Sequence, residues 1–104
     1  MPVFELSRRA EADLEGIAEY TRDRWGLAQC GRYLDQLEAC LERLAESPGQ
    51  GRPCPDLGLE YFRFEHGRHV VFYRRLEGGI RVVRILHERM LPARHVSDDD
   101  ADEP

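Results

Sequence analysis

The stretch from Arg68 to His87 constrains what this chain can fold into more than any other part of it. It holds two runs of β-branched and aromatic residues, Val70 to Tyr73 and Ile80 to Leu86, with Glu77-Gly78-Gly79 between them. Glycines that tolerate positive φ let a chain reverse tightly, so the pattern specifies a β-hairpin. Both runs are apolar on both faces, as central strands of a sheet are. Arg68, Arg74, Arg75, Arg81 and Arg84 nevertheless lie inside or beside them. A guanidinium keeps its charge at neutral pH and is almost never fully buried unpaired. These arginines need carboxylates, anions or solvent.

The rest of the chain supplies layers to cover such a hairpin. Val3-Phe4-Glu5-Leu6 reads as a short first strand, and Ser7 as a helix N-cap whose hydroxyl accepts from a free backbone N–H. Ala10, Leu14, Ile17, Ala18, Thr21 and Trp25 then recur at helical spacing until Gly26. A second helical stripe follows at once, Cys30, Tyr33, Leu34, Leu37, Cys40, Leu41 and Leu44, stopped by Ser47-Pro48-Gly49. Two amphipathic helices with so short a joint form an antiparallel helical hairpin. Residues 50–58, with Gly51, Pro53, Pro55 and Gly58, read as an ordered loop. Tyr61-Phe62-Arg63-Phe64 reads as a strand and Glu65-His66-Gly67 as the turn into the central hairpin. Glu88 to Leu91 reads as a single turn before Pro92. The expected fold is α+β: an N-terminal strand, a helical hairpin, then a three-stranded antiparallel sheet with the helices on one face (β-α-α-β-β-β).

A chain of 104 residues supports one modest core. Residues 1–96 read as a single domain and residues 97–104 as an acidic, disordered tail. No apolar run is long enough to span a bilayer and no secretory signal opens the chain, so the expectation is a cytoplasmic protein with no membrane partner. Cys30, Cys40 and Cys54 form no Cys-x-x-Cys unit, and Cys54, in a proline-rich loop, is the expected exposed thiol. Charge is unevenly spread. Residues 1–51 carry six Arg against ten acids, residues 52–97 nine Arg against five, and residues 98–103 five acids, which together give the net −5. All basic residues are arginine. The basic half suits phosphates or an acidic partner protein.

Chemistry of several kinds is poorly served. His66 and His69 straddle a turn and need not share a face, and no cysteine or acid cluster completes a metal site. No serine sits in a nucleophile elbow, and Gly78-Gly79 is a hairpin turn rather than a phosphate loop. Neither a metal nor a cofactor is expected. Strict alternation places Arg81, Val83, Ile85 and His87 on one face of the last strand and Ile80, Val82, Arg84 and Leu86 on the other. If helices cover the second set, Arg84 must find a carboxylate or reach the rim. Two readings of Arg81 and His87 then stay open: a solvated, salt-bridged sheet face, or an anion-binding face where histidine moves a proton.

Several motifs in fixed order resemble a known family. They are Leu-Ser-x-x-Ala-x-x-Asp-Leu-x-x-Ile-x-x-Tyr (6–20), Arg-Trp-Gly-x-x-Gln (24–29) with Tyr33 and Leu37, and Pro-Gly-x-Gly-Arg (48–52). His69-x-Val-Phe-Tyr-Arg and Val-x-Arg-Ile-Leu-His-x-x-Met (82–90) complete the set. Together they resemble the ParE branch of the RelE/ParE toxin superfamily, over nearly the whole chain from residue 4 to His95. The resemblance implies a type II toxin neutralised by a small antitoxin encoded beside it, a ParD-like protein, in a hetero-oligomeric complex. ParE-type toxins poison DNA gyrase, block replication and stabilise plasmids, without catalysis of their own. RelE-type relatives instead cut mRNA on the ribosome, and by position the nuclease candidates here are Arg63, Arg84 and His87. The chain departs from that pattern: Glu88-Arg89-Met90-Leu91-Pro92 lacks a tyrosine-bearing basic segment, and no lysine replaces it. Gyrase poisoning is therefore the leading expectation; message cleavage and a degenerate toxin that only binds antitoxin are the alternatives. An extended acidic or amphipathic partner would follow the helical groove onto the basic half. The expected contacts are Leu14, Tyr20, Trp25, Tyr33, Arg68, Arg74, Arg81 and Arg89.

Overall fold

The computed structural model describes residues 2–90, 92 and 96. The segment 97–104, expected to be a disordered tail, lies outside the described residues, as do Leu91 and Arg94. The chain runs as β1 (Val3–Leu6), α1 (Arg8–Trp25), α2 (Leu27–Glu46), a 3-10 turn (Pro48–Gln50), β2 (Arg52–Pro53), β3 (Tyr61–His66), β4 (His69–Leu76) and β5 (Gly79–His87). This is the expected α+β order, with the helical hairpin on one face of the sheet.

The sheet has five strands in the order β1-β5-β4-β3-β2. The expected three-stranded unit is its centre, antiparallel throughout. β1 adds a parallel edge on β5, and the two-residue β2 adds an antiparallel edge on β3. β2 falls within the stretch read as a loop, because its prolines and glycines mask a segment with only Arg52 and Pro53 in the ladder. Close approach decides one glycine in the sheet. A Cβ on Gly79 would collide with the Val3 carbonyl across the parallel pair.

Helix boundaries follow from local chemistry. Ser7 caps α1: its Oγ accepts from the Ala10 N–H at 3.0 Å and donates to the Val83 carbonyl at 2.6 Å. Gly26, at φ 89°, both ends α1 and starts α2, a conformation that favours glycine. The helices bury Ala10, Ile17, Leu37, Cys40, Leu41 and Leu44 against Val71, Tyr73, Ile80, Val82 and Ile85. Trp25 continues the α1 stripe in sequence but stands 64% exposed.

The outer face of the sheet, away from the helices, carries a smaller cluster. Tyr61, Val70, Phe72, Val83 and Leu86 are covered there by Cys54, Leu57 and Val96. This corrects the expected exposure of Cys54, which the loop folds inward onto the sheet, and burial raises its thiol pKa above the ordinary value.

Strict alternation along β5 also fails. The register slips between Phe72 and Tyr73: Phe72 faces Arg84 but Tyr73 faces Val82, so β5 carries a bulge. Past it the faces exchange. Ile80, Val82 and Ile85 all join the helix-side core, whereas Val83 and Leu86 join the outer cluster. His87 consequently points to the helix side, opposite to the expectation.

A cleft between the helical joint and the histidine end of the sheet

The end of the sheet where β3 turns into β4 carries the most concentrated chemistry. Gly67 and Arg68 form the turn, and Gly67 takes φ 58°, a left-handed conformation suited to glycine. A two-residue turn puts the flanking residues opposite one another, so His66 faces His69 and His69 faces His87 on three successive strands. His66 and His69 therefore do share a face, which the sequence reading left undecided. No group of three or more metal-ligating side chains able to hold an ion occurs among the described residues.

Tyr33, from the middle of α2, reaches across to these histidines. Its hydroxyl lies 2.6 Å from His69 Nδ1 and donates to the His66 carbonyl at 3.3 Å. Both contacts are satisfied together when His69 Nδ1 carries its proton and donates to the phenol oxygen. The Tyr33 ring centroid is 5.6 Å from each of the two imidazoles. His69 and His87 meet edge to face at 5.8 Å, and the Arg89 N–H donates to His87 Nδ1 at 3.2 Å.

Burial sets the protonation of this cluster. The His69 pKa is lowered below its ordinary value by burial first, then by His87 and His66. His66 is lowered by burial, then by Arg43, and Tyr33 is raised by burial. At neutral pH His66, His69 and Tyr33 are therefore uncharged, and permanent positive charge comes from arginine.

Tyr33, Gly67, His69 and His87 form one wall of an open cleft of about 630 Å³. The opposite wall is the end of α1 and the start of α2, with Tyr20, Thr21, Arg24, Trp25 and Gln29, while Arg68 and Arg89 lie at its rim. Arg24 places its guanidinium 6.0 Å from the Tyr20 ring and 5.9 Å from the Trp25 ring, so one cation serves two aromatic faces. Tyr20, Trp25 and Leu27 are 62%, 64% and 76% exposed, an apolar knuckle at the helical joint. A second, more apolar groove of about 320 Å³ runs between the helices and β1, lined by Phe4, Leu6, Leu14, Leu34, Leu37 and Leu41.

The profile of the family described as "ParE toxin of type II toxin-antitoxin system, parDE" matches residues 4–92. The chain belongs to the ParE toxin family. Among curated relatives, Toxin ParE1 of Caulobacter vibrioides is 44% identical over 98 residues, spanning 92% of this chain and 99% of that protein. Toxin ParE1 of Mycobacterium tuberculosis is 44% identical over 88 residues, covering 84% and 90%. Toxin ParE of Escherichia coli is 44% identical over 93 residues, covering 86% and 88%. A solved structure titled "Chromosomal ParDE TA system from P. aeruginosa" shares the fold, with TM-score 0.69 over 84% of this chain and 96% of that one at 19% identity.

On this ParE fold the residues singled out from sequence fall in four places. Tyr20, Trp25, Tyr33, Arg68, Arg89 and His87 line the cleft, and Leu14 lines the apolar groove. Arg63, Arg74 and Arg81 lie on the outer face, with Arg81 Nη1 3.1 Å from Glu5 Oε1 and Arg63 over the Phe72 ring at 5.6 Å. Arg84 is held by Asp13 of α1, with Nε 2.8 Å from Oδ2 and Nη2 2.9 Å from Oδ1. Arg63, Arg84 and His87 are thus not brought together. Sequence reading missed Arg24, Gln29 and His69 as cleft residues. His69 was legible, because the Gly67-Arg68 turn fixes its register against His66. Arg24 and Gln29 were not, since polar residues at a helical joint carry no signal for the face they will meet.

Proposed function

We propose that this ParE-type toxin arrests growth by poisoning DNA gyrase, without catalysis of its own. A ParD-like antitoxin, made beside it in the same cytoplasm, neutralises it. The observation that carries the first part is the scattering of Arg63, Arg84 and His87 over three surfaces. A nuclease that works by general acid–base chemistry needs its groups within hydrogen-bond reach of one phosphodiester. Arg84 is committed to Asp13, and His87 meets His69 and lines the cleft rather than joining the arginines of the outer face.

Antitoxin binding is supported by the two grooves and by family membership. An amphipathic partner would lay apolar side chains into the groove at Leu14 and carry acidic ones to Arg24, Arg68 and Arg89. Tyr20 and Trp25, exposed and large, are the expected anchors.

A supercoiling assay tests the target. Purified toxin should inhibit gyrase or trap its DNA cleavage complex, and antitoxin added first should prevent both. Full gyrase activity at large toxin excess would reject the proposal, and codon-positioned cuts in translated message would replace it with the nuclease reading.

A further inference from the structure

We propose that the cleft at the helical joint binds a short single-stranded segment of nucleic acid, with bases stacked on Trp25 and Tyr20 and phosphates held by Arg68 and Arg89. The cleft is a local exception in charge. The chain carries a net −5, yet the cleft gathers Arg24, Arg68 and Arg89, and among the described residues no aspartate or glutamate lines it. The three arginines come from the end of α1, the β3–β4 turn and the segment after β5. All are exposed, and among the described residues none of them forms an ion pair. Cations gathered on one concavity raise the local concentration of anions.

The rest of the lining decides which anion. Trp25 and Tyr20 are largely exposed, and the Arg24 guanidinium lies about 6 Å from both rings, so three flat groups are presented together. An acidic peptide satisfies the arginines but offers nothing flat to the indole and phenol faces. A nucleotide matches both, because every base has a π face for an aromatic ring or a guanidinium and every link carries a phosphate. A duplex keeps its bases stacked inside, so the ligand is single-stranded.

Base edges need groups that donate and groups that accept. His87 Nδ1 accepts the Arg89 N–H, so the uncharged ring carries its proton on Nε2. His69 donates from Nδ1 to Tyr33 and keeps Nε2 as an acceptor. One imidazole of the lining is thus a donor and the other an acceptor, and Gln29 is both. At about 630 Å³ the cleft is the size that encloses a small ligand, so it takes only a short stretch of a strand. This is also the cleft given above to the antitoxin's acidic residues, so the two ligands exclude each other. Nucleic-acid binding by the toxin alone does not rest on that reading.

Trp25 is the only tryptophan of the chain, so its fluorescence reports this cleft. Full-length toxin without antitoxin is titrated at low salt with hexathymidylate and, separately, with hexauridylate; the stronger binder names DNA or RNA as the source. Stacking should quench Trp25, and the anisotropy of a fluorescein-labelled copy should give the same midpoint. Arg68→Gln with Arg89→Gln should weaken binding about tenfold or more. It should also flatten the slope of log affinity against log salt by about 1.4, the share of two phosphates on a single strand. Trp25→Ala, read by anisotropy, should weaken binding about fivefold or more. Arg52→Gln with Arg75→Gln, an equal loss of charge outside the cleft, should leave affinity and slope nearly unchanged. No binding by either oligonucleotide, or binding that leaves Trp25 unquenched, overturns the proposal. So does equal weakening by the Arg52 and Arg75 pair, or hexaglutamate that quenches Trp25 and competes as well as the oligonucleotides.

Discussion

Asp13 and Arg84, 71 positions apart in the chain, form a two-point ion pair that ties α1 to β5. The same carboxylate accepts the Ile85 N–H at 2.9 Å. The pair exists because β1 is short: its pairing with β5 ends at Leu6 opposite Val82. Beyond that point β5 has no neighbouring strand on this side among the described residues. Ser7 N–H donates to the Val82 carbonyl at 2.9 Å, Ser7 Oγ donates to the Val83 carbonyl, and Asp13 takes the Ile85 N–H. The start of a helix thus completes an unfinished sheet edge.

Both side chains of this pair are at most 14% exposed, so losing one partner strands a poorly solvated charge. Breaking such a pair costs about 3 kcal/mol. Asp13→Ala should therefore lower the melting temperature by roughly 12 °C or more, at about 4 °C or more per kcal/mol for a domain of this size. Asp13→Asn keeps an acceptor for Ile85 and should lose less. A thermal unfolding series on the three proteins checks the order; a melting temperature unchanged by Asp13→Ala would refute the structural role given to the pair.

Gly51 is held by contact rather than by backbone angle. Its φ of −78° is open to any residue. A Cβ there, however, would run into the Tyr73 hydroxyl and stand 2.8 Å from the ring Cε1. Tyr73 is fully buried, and its hydroxyl donates to the Pro48 carbonyl at 2.6 Å and accepts the Gly51 N–H at 3.0 Å. Gly51→Ala should cost about 1–3 kcal/mol, the usual range for overpacking. Gly16→Ala, on the exposed face of α1 with nothing within 4 Å, should instead be neutral or stabilising. Urea unfolding of both variants separates the two cases.

Much of this fold was legible because its signals are local. Ser7, Gly26 and the Ser47-Pro48-Gly49 stop mark the helices by cap chemistry, and Glu77-Gly78-Gly79 marks the hairpin. What was not legible depends on long-range geometry. The bulge at Val83 leaves no trace in a run that is apolar on both faces, yet it moves His87 to the other side of the sheet. The partner of Arg84 could be deduced as a carboxylate but not named as Asp13, since eleven other acids precede β3 in the chain. The cleft was half visible: its aromatic residues stood out, while the convergence of His69 and Arg24 on it awaited the packing of the helical joint against the sheet end.

Acid should loosen the histidine end of the sheet. His69 and His66 have folded pKa values below their ordinary 6.5, because burial disfavours the imidazolium. Below about pH 6.5 the unfolded chain therefore binds more protons than the folded one, and stability falls with falling pH. Above it, both states carry neutral imidazole and this contribution is flat. Urea midpoints measured from pH 8 to 5 should stay level and then decline through the range just below 6.5. His69→Gln should reduce the decline. A midpoint that rises on acidification over that range would show that the histidines gain rather than lose favourable partners on folding.

Trp25 separates folding from function more cleanly than any other residue of the cleft. It stands 64% exposed at the end of α1, with the Arg24 guanidinium 5.9 Å from its ring, and belongs to neither core cluster, so its removal leaves the core intact. Trp25→Ala should change stability by no more than about 0.5 kcal/mol, as exposed substitutions usually do. If the helical joint anchors the antitoxin as proposed, the same change should weaken toxin–antitoxin binding by about 2 kcal/mol, close to thirtyfold. His87→Ala provides the complementary contrast, since a gyrase poison should still arrest growth without it. Calorimetric titration of the two variants with antitoxin, alongside growth curves for each expressed alone, tests both statements at once. Undiminished antitoxin affinity in Trp25→Ala would move the anchor elsewhere, to the apolar groove at Leu14. Loss of toxicity in a stably folded His87→Ala protein would return the histidine to a catalytic role.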